Sequence, residues 1–326
     1  MHRELKQNLK WLGAACVLLL LPAVNAHAQL GGSHSLGDFG VQSGTQPTPG
    51  FYAALFYLHY GTDTIKDKDG NEVSISPGTP SSIGVNAISP ILWWVTDKKL
   101  FGANYGAFVT LPFANASLEA PFFGLGETVG TSFADMLIRP LDLGWHHDRY
   151  DISTGLEVYV PTGKYEAGGS ENIGKGMWTW EPFLGMTYFF DEKKSLSLAT
   201  TAYWEIHGTK KDTDTKVGQI LTLQGGLGKS YLDGGLIIGA AYYAQWKLTD
   251  DQSTVTLPGG SVVDVEFPNK HRVYGFGPDI TLPLATKSTL YALVNIRYFW
   301  ETGARVRSEG ETLAVTATFP IPSIKL

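Results

Sequence analysis

A single cysteine, Cys16, stands among the 326 residues, and it lies inside a segment that reads as a removable leader. A disulfide framework and thiol chemistry are therefore excluded for the mature chain. Basic residues are outnumbered: 25 Lys and Arg against 31 Asp and Glu give a net charge of −6, so no nucleic-acid partner is expected. Charge of either sign is sparse, at 17%, below the quarter typical of soluble domains. After residue 28 there is no run of 18 apolar residues, which excludes a transmembrane helix. Helical periodicity is nearly absent. Catalytic signatures are missing too: there is no Gly-x-Ser-x-Gly elbow, no His-Glu-x-x-His and no other metal-ligand spacing. Neither an enzyme nor a cofactor or metal is expected. The His146-His147 pair sits in a short turn, where a solvated role is the ordinary one.

What is present begins with the leader. Arg3, Lys6 and Lys10 precede the apolar run "WLGAACVLLLLPAV", and Ala26-His27-Ala28 follows it. A basic stretch, an apolar core and a small-x-small site make residues 1–28 a predicted secretory signal. Residues 29–50 are Gly-rich and carry no strand pattern. They are expected to be a periplasmic tether or a plug in a lumen.

From residue 51 onward the chain alternates. In "YDISTGLEVYV" the row Tyr150, Ile152, Thr154, Leu156, Val158 and Val160 is mostly apolar, and the row of Asp151, Ser153, Gly155, Glu157 and Tyr159 is polar or small. The same two-faced pattern returns in "FGANYGAFVTLPF", "WTWEPFLGMTYFF", "SLSLATTAYWEIH" and "GLIIGAAYYAQWKL". This is the period of a β-strand with two unlike faces. Short connectors (96–99, 146–149, 191–194, 230–234, 285–288) alternate with longer ones (61–81, 114–131, 162–177, 208–216, 249–270, 301–311), which divides the chain into about twelve strands. An even strand count with short turns at one end and long loops at the other predicts an all-β, antiparallel, up-and-down transmembrane barrel spanning 51–326. Aromatics sort to the two ends of the apolar rows. Trp178, Trp204, Trp246 and Trp300 lie near the long-loop ends, and Trp93, Phe101, Tyr150 and Tyr188 near the short turns. Two such belts suit the two interfaces of a membrane. The apolar rows then face outer-membrane lipid and the polar rows face a lumen.

The motifs carry a resemblance. Pro161, Thr162, Gly163 and Tyr165 close one strand, Asn172 and Gly174 follow in the loop, and Trp178, Thr179, Glu181 and Pro182 open the next. With "GSHSLGDFG" at 32–40, "PGFY" at 49–52, "GWHHDRYDIS" at 144–153 and "KKDTDTKVGQ" at 210–219, the chain resembles the outer-membrane family linked to the meta-pathway of phenol degradation. That family includes sphingosine-induced porin-like transporters. The resemblance implies a Gram-negative outer-membrane location, delivery by the outer-membrane assembly machinery, and passive uptake of small hydrophobic or aromatic solutes. A porin for small polar solutes is the alternative. A barrel hydrolase using His59 or His207 with Asp63 or Glu205 is a weaker one.

Parity assigns the lumen. Glu157, Glu181, Tyr203, Glu205, His207, Lys247, Asp279 and Arg297 point inward. Asp135 and Arg139 join them if a bulge at Pro140 restores the faces of "SFADMLIRPLDLGW". These charges either pair across the barrel or line a cation-preferring path. Parity also predicts that arginine is tolerated at inward Ser153 and not at outward Leu156.

Overall fold

The computed structural model describes residues 31–73, 82–120, 125–169, 171–231, 235–256, 262–267, 269–286 and 289–321. The predicted leader lies outside them. The described residues form strands, turns and extended segments, with no helix. In chain order the strands are β1 (Gly50–Lys66), β2 (Ser82–Leu100), β3 (Ala103–Thr110), β4 (Phe113–Ala120), β5 (Leu125–Phe133), β6 (Met136–His146), β7 (Tyr150–Val160) and β8 (Thr179–Phe189). They continue with β9 (Leu196–His207), β10 (Ile220–Tyr231), β11 (Leu236–Lys247), β12 (Asp251–Thr256), β13 (Val262–Phe267), β14 (Arg272–Ala285), β15 (Leu290–Arg305) and β16 (Arg307–Ile321).

Each strand pairs antiparallel with its neighbours, and β1 pairs with both β2 and β16. The sheet therefore closes on itself as a twelve-stranded barrel. Two of its walls are each built from two pieces. β3 and β4 lie end to end along β2, broken at Leu111-Pro112. β6 and β5 lie end to end beside them, broken at Ala134-Asp135. Proline has no amide hydrogen to give the ladder, so the break falls there. Above it, β5 pairs with β4 alone among the described strands.

The distribution of polarity is that of a membrane barrel, the inverse of a soluble domain. Outward Leu92 and Leu184 are 60% and 61% exposed, within a continuous apolar band far larger than a soluble monomer shows. Inside lie Glu157, Glu181, Glu205, Thr201, Gln224 and Asp279, all nearly fully buried. With no water in a bilayer core, only a closed sheet satisfies every backbone group of such a wall.

The bulge expected at Pro140 is present. The β6–β7 register slips between Ile138 and Leu141, leaving Arg139 buried and Leu141 exposed. Several boundaries differ from the sequence reading. β2 continues through 96–99 to Leu100, and the turn is Phe101-Gly102, both at positive φ (51° and 81°), the conformation of a tight hairpin. Three of the long connectors are largely strand, whereas 162–177 and 208–216 hold none. Residues 114–131 supply β4 and β5, 249–270 supply the β12–β13 hairpin, and 301–311 holds only a one-residue turn at Val306. The walls therefore continue past the apolar band as paired, polar sheet.

Candidate functional site

The lumen is filled by the segment preceding β1. Residues 31–49 run through the barrel, from Gln46 near the short-turn end to Ser33 near the opposite end. Small residues permit the fit. A Cβ on Gly44 would lie 2.4 Å from the Met186 backbone, and one on Gly37 (φ 79°) would lie 2.5 Å from the Phe299 ring. Polar anchors hold the path. Gln46 Nε2 donates to the Asp142 carbonyl (2.9 Å), Val41 N donates to Asp279 Oδ2 (2.8 Å), and Thr201 Oγ1 donates to Ser43 Oγ (3.0 Å). Gln224 Nε2 donates to Asp38 Oδ1 (2.5 Å). The segment, termed the plug for its place inside the lumen, is seated by hydrogen bonds with four strands, β6, β9, β10 and β14.

Near its upper end the plug meets three carboxylates on adjacent strands. Glu157 and Glu181 are direct cross-strand partners of β7 and β8, and Glu205 follows on β9. Arg139 donates twice to Glu157 Oε1 and lies 3.7 Å from Asp142. Its guanidinium also rests 4.3 Å from the ring centres of both Phe108 and Phe183. His34 Nδ1 is 3.0 Å from Glu181 Oε1. Glu205 Oε2 accepts from Ser33 N (2.5 Å) and His34 N (3.2 Å), and lies 3.3 Å from His207 Nε2. Tyr203 packs 5.7 Å from Phe183 and 4.5 Å from His34. The carboxylates are buried partners of the plug and of Arg139, not a solvated charged wall.

The remaining inward residues sit elsewhere. Lys247 pairs with Asp251 at 2.5 Å. Asp279 accepts from Asn295 Nδ2 (2.6 Å) as well as from Val41, and Arg297 donates to Thr316 Oγ1 (2.8 Å). Asp135 lies in the β5–β6 break and not on a strand. Its carboxylate accepts from Gly163 N (2.9 Å) and Lys175 N (2.6 Å), which fastens the 161–178 loop over this part of the wall. In the loops above, burial and then the like charge of Lys175 push the Lys210 ammonium down to about 8.

Between the plug and the β1–β3 and β6 walls lies a cavity of about 660 Å³. Phe56, Ile91, Trp93, Phe108, Leu137 and Tyr159 line it, and it reaches the break at Pro112 and Ala134. Trp93 therefore does not belong to an aromatic belt. It points inward, donates to Asp142 Oδ2 (3.1 Å) and meets Phe108 edge-on, while its neighbour Trp94 is exposed and stacks with Phe51. Phe101 (84% exposed), Tyr188, Trp178, Trp204 and Trp300 are on the outer surface. Tyr150 and Trp246 are half-buried there, against His147 and Tyr274. His34, Gln46 and Gln224 escaped the sequence reading. The run of glycines at 32, 37, 40 and 44 was the available sign of close packing.

A closed twelve-stranded wall with an apolar exterior and a plugged, polar interior is an outer-membrane β-barrel. The chain belongs to the family described as the putative MetA-pathway of phenol degradation, whose model matches residues 62–317. No curated protein matches it in sequence. Its fold is similar to that of an outer membrane channel from Pseudomonas putida F1, at 13% identity and a TM-score of 0.70, covering 89% of this chain and 100% of that one. Weaker likenesses are to the beta domain of the Bordetella autotransporter BrkA (12% identity, TM-score 0.44, 84% and 100% covered) and to a FadL homologue of Pseudomonas aeruginosa (12%, 0.37, 83% and 90%).

Proposed function

We propose that this barrel is a passive channel for small hydrophobic or aromatic molecules, and that the cavity beside the plug is where such a molecule rests on its way through. The observation that carries the reading is the lining. Phe56, Ile91, Trp93, Phe108 and Leu137 surround a space of about 660 Å³, within the size range of small-molecule pockets, whose walls are mostly apolar with few polar groups. Membership of a phenol-degradation family supports the same solute class. A polar-solute porin needs a continuous wet path, whereas here the plug occupies the axis and the inward charges are buried against it or against one another. The break at Pro112 and Ala134, beside the edge of β5 that pairs with no other described strand, offers a way between the cavity and the wall that avoids the plugged axis.

Proteoliposome uptake of matched solutes tests this. Toluene-sized aromatics are expected to enter faster than through protein-free vesicles, and faster than sugars of similar size. Ala54 and Ala87 both line the cavity, so Ala54→Trp or Ala87→Trp is expected to lower aromatic uptake in a folded barrel. Sugars entering as fast as aromatics, with uptake unaffected by both substitutions, would favour the polar porin and sink the proposal.

A further inference from the structure

The plug meets the wall at a place whose polar atoms are not all satisfied. Of the three carboxylates there, Glu157, Glu181 and Glu205, each has one oxygen engaged, by Arg139, His34 or the Ser33 and His34 amides with His207. Among the described residues the second oxygen of each, Glu157 Oε2, Glu181 Oε2 and Glu205 Oε1, has no hydrogen-bond partner, and His34 Nε2 has none either but faces Asp38 Oδ1 at 3.7 Å. All four side chains are buried; those of His34, Glu181 and Glu205 are 0% exposed. Clustering three buried carboxylates and an imidazole is expensive unless a further partner compensates them. A single proton shared between Glu157 and Glu181 joins one pair of oxygens and leaves the others as they are.

A divalent cation held by two of these carboxylates and the imidazole neutralises more of the cluster's charge than one shared proton does. One ligand atom from each of His34, Glu157 and Glu181 can be chosen so that all lie within 4.8 Å of one another. The His34 Nδ1 to Glu181 Oε1 separation is 3.0 Å. Two donors on one tetrahedral zinc, with bonds of about 2.0–2.1 Å, stand roughly 3.3 Å apart, so this edge needs to open only slightly. The three ligands come from three elements: the plug, β7 and β8. Arg139 holds the other oxygen of Glu157, the kind of outer partner that orients a metal-bound carboxylate. An imidazole among the donors argues against calcium or magnesium, which take oxygen ligands, and for a divalent first-row metal.

We infer that His34, Glu157 and Glu181 form a binding site for a divalent transition-metal ion of the zinc type, which clamps the plug to the barrel wall. The ion replaces the proton between His34 and Glu181 and neutralises carboxylates that otherwise repel. Because His34 belongs to the plug, metal occupancy and plug seating are linked: whatever binds only the seated form stabilises it. The role is that of a structural latch, independent of which solute the channel carries.

The test uses the full-length mature barrel without a histidine tag. Exposed His59, His146 and His147 are changed to Ala to remove surface binding. The protein is refolded with Zn²⁺ present, passed through a desalting column, and its metal content measured by mass spectrometry, with folding verified by heat-modified gel mobility. One zinc per folded barrel is expected. His34→Ala and Glu181→Gln are each expected to weaken zinc binding by roughly 100-fold or more, and excess Mg²⁺ is expected not to displace the ion. His34→Ala lies outside the barrel strands, so it remains informative if Glu181→Gln folds poorly. A chelator added to the wild type is expected to raise conductance, as the plug loosens. A folded barrel that retains no zinc, or that retains as much in His34→Ala as in the parent, overturns the proposal.

Discussion

Substituting Gly44 with Val is expected to unseat the plug and leave the barrel standing. The Cβ it adds would lie 2.4 Å from the Met186 amide nitrogen and carbonyl carbon and 2.6 Å from its Cα. These are backbone atoms of a wall strand paired on both sides, so no rotamer change relieves the overlap. Ordinary contact requires roughly 3.5 Å between carbons, and the plug must therefore withdraw by about 1 Å. Three hydrogen bonds flank that point: Ser43 Oγ to the Gln224 carbonyl (3.3 Å), Thr201 Oγ1 to Ser43 (3.0 Å) and Gln46 Nε2 to the Asp142 carbonyl (2.9 Å). At about 1 kcal/mol net each, their loss costs about 3 kcal/mol, a shift of roughly 100-fold toward the unseated plug. Single-channel recording reads the result as higher conductance or frequent wide openings, and heat-modified gel mobility reports the barrel. Gly130→Ala is the control, since nothing lies within 4 Å of the Cβ it adds. A folded Gly44→Val barrel with wild-type conductance would refute the reasoning.

Four further outcomes follow from other parts of the barrel. Arg139→Met leaves Glu157 and Asp142 buried without their guanidinium and is expected to destabilise by about 3–5 kcal/mol; a loss under about 1 kcal/mol in urea titrations followed by tryptophan fluorescence would count against the ion pair. Leu156→Arg, on the lipid face of β7, is expected to cost about 2–4 kcal/mol, read as reduced folding yield into vesicles. Ser153→Arg, tolerated on parity alone, instead meets a filled lumen, because Ser153 is buried where Gly44 passes Gly185; the expected result is raised conductance in a folded barrel, and unchanged conductance would contradict the packing. In the β8–β9 turn, hydrogen bonds from the Ser195 and Leu196 amides and the Ser195 hydroxyl hold the Asp191 carboxyl at about 2. A depressed carboxylate stabilises above its unfolded pKa of about 3.9 and loses that contribution as pH falls toward 2. Asp191→Asn is therefore expected to lower stability at pH 7, with the gap to wild type closing between pH 4 and pH 2; a gap that persists at pH 2 would sink the assignment.

Much of this architecture was legible because a membrane wall imposes one rule on every strand. Around Leu156, Leu184, Trp204 and Ile238 the apolar and polar rows separate cleanly, and period-2 reading gave their facing. It did not choose at "ILWWV" (91–95), which is apolar in both rows because its inner row lines an apolar cavity. Trp93 was assigned to a belt for that reason. Across 301–311, where β15 ends and β16 begins, polar and charged residues stand on both faces and the alternation vanishes, so paired strand looked like loop. The plug was half legible. Its glycines indicated close packing, but His34 reaches a partner 147 positions away, and no local spacing announces a contact that only closure of the barrel creates.

The seam between β1 and β16 sets an order of events. β1 is the first strand of the wall and β16 the last, so the ring cannot shut until the C-terminal strand arrives. The plug is joined directly to β1, at Gly50. Its nineteen residues, 31–49, leave the wall at the seam itself, so the segment that fills the lumen and the edge that closes the ring are one stretch of chain. Assembly and loading are in that sense one act, and a weakly seated plug becomes a defect of manufacture as much as of gating.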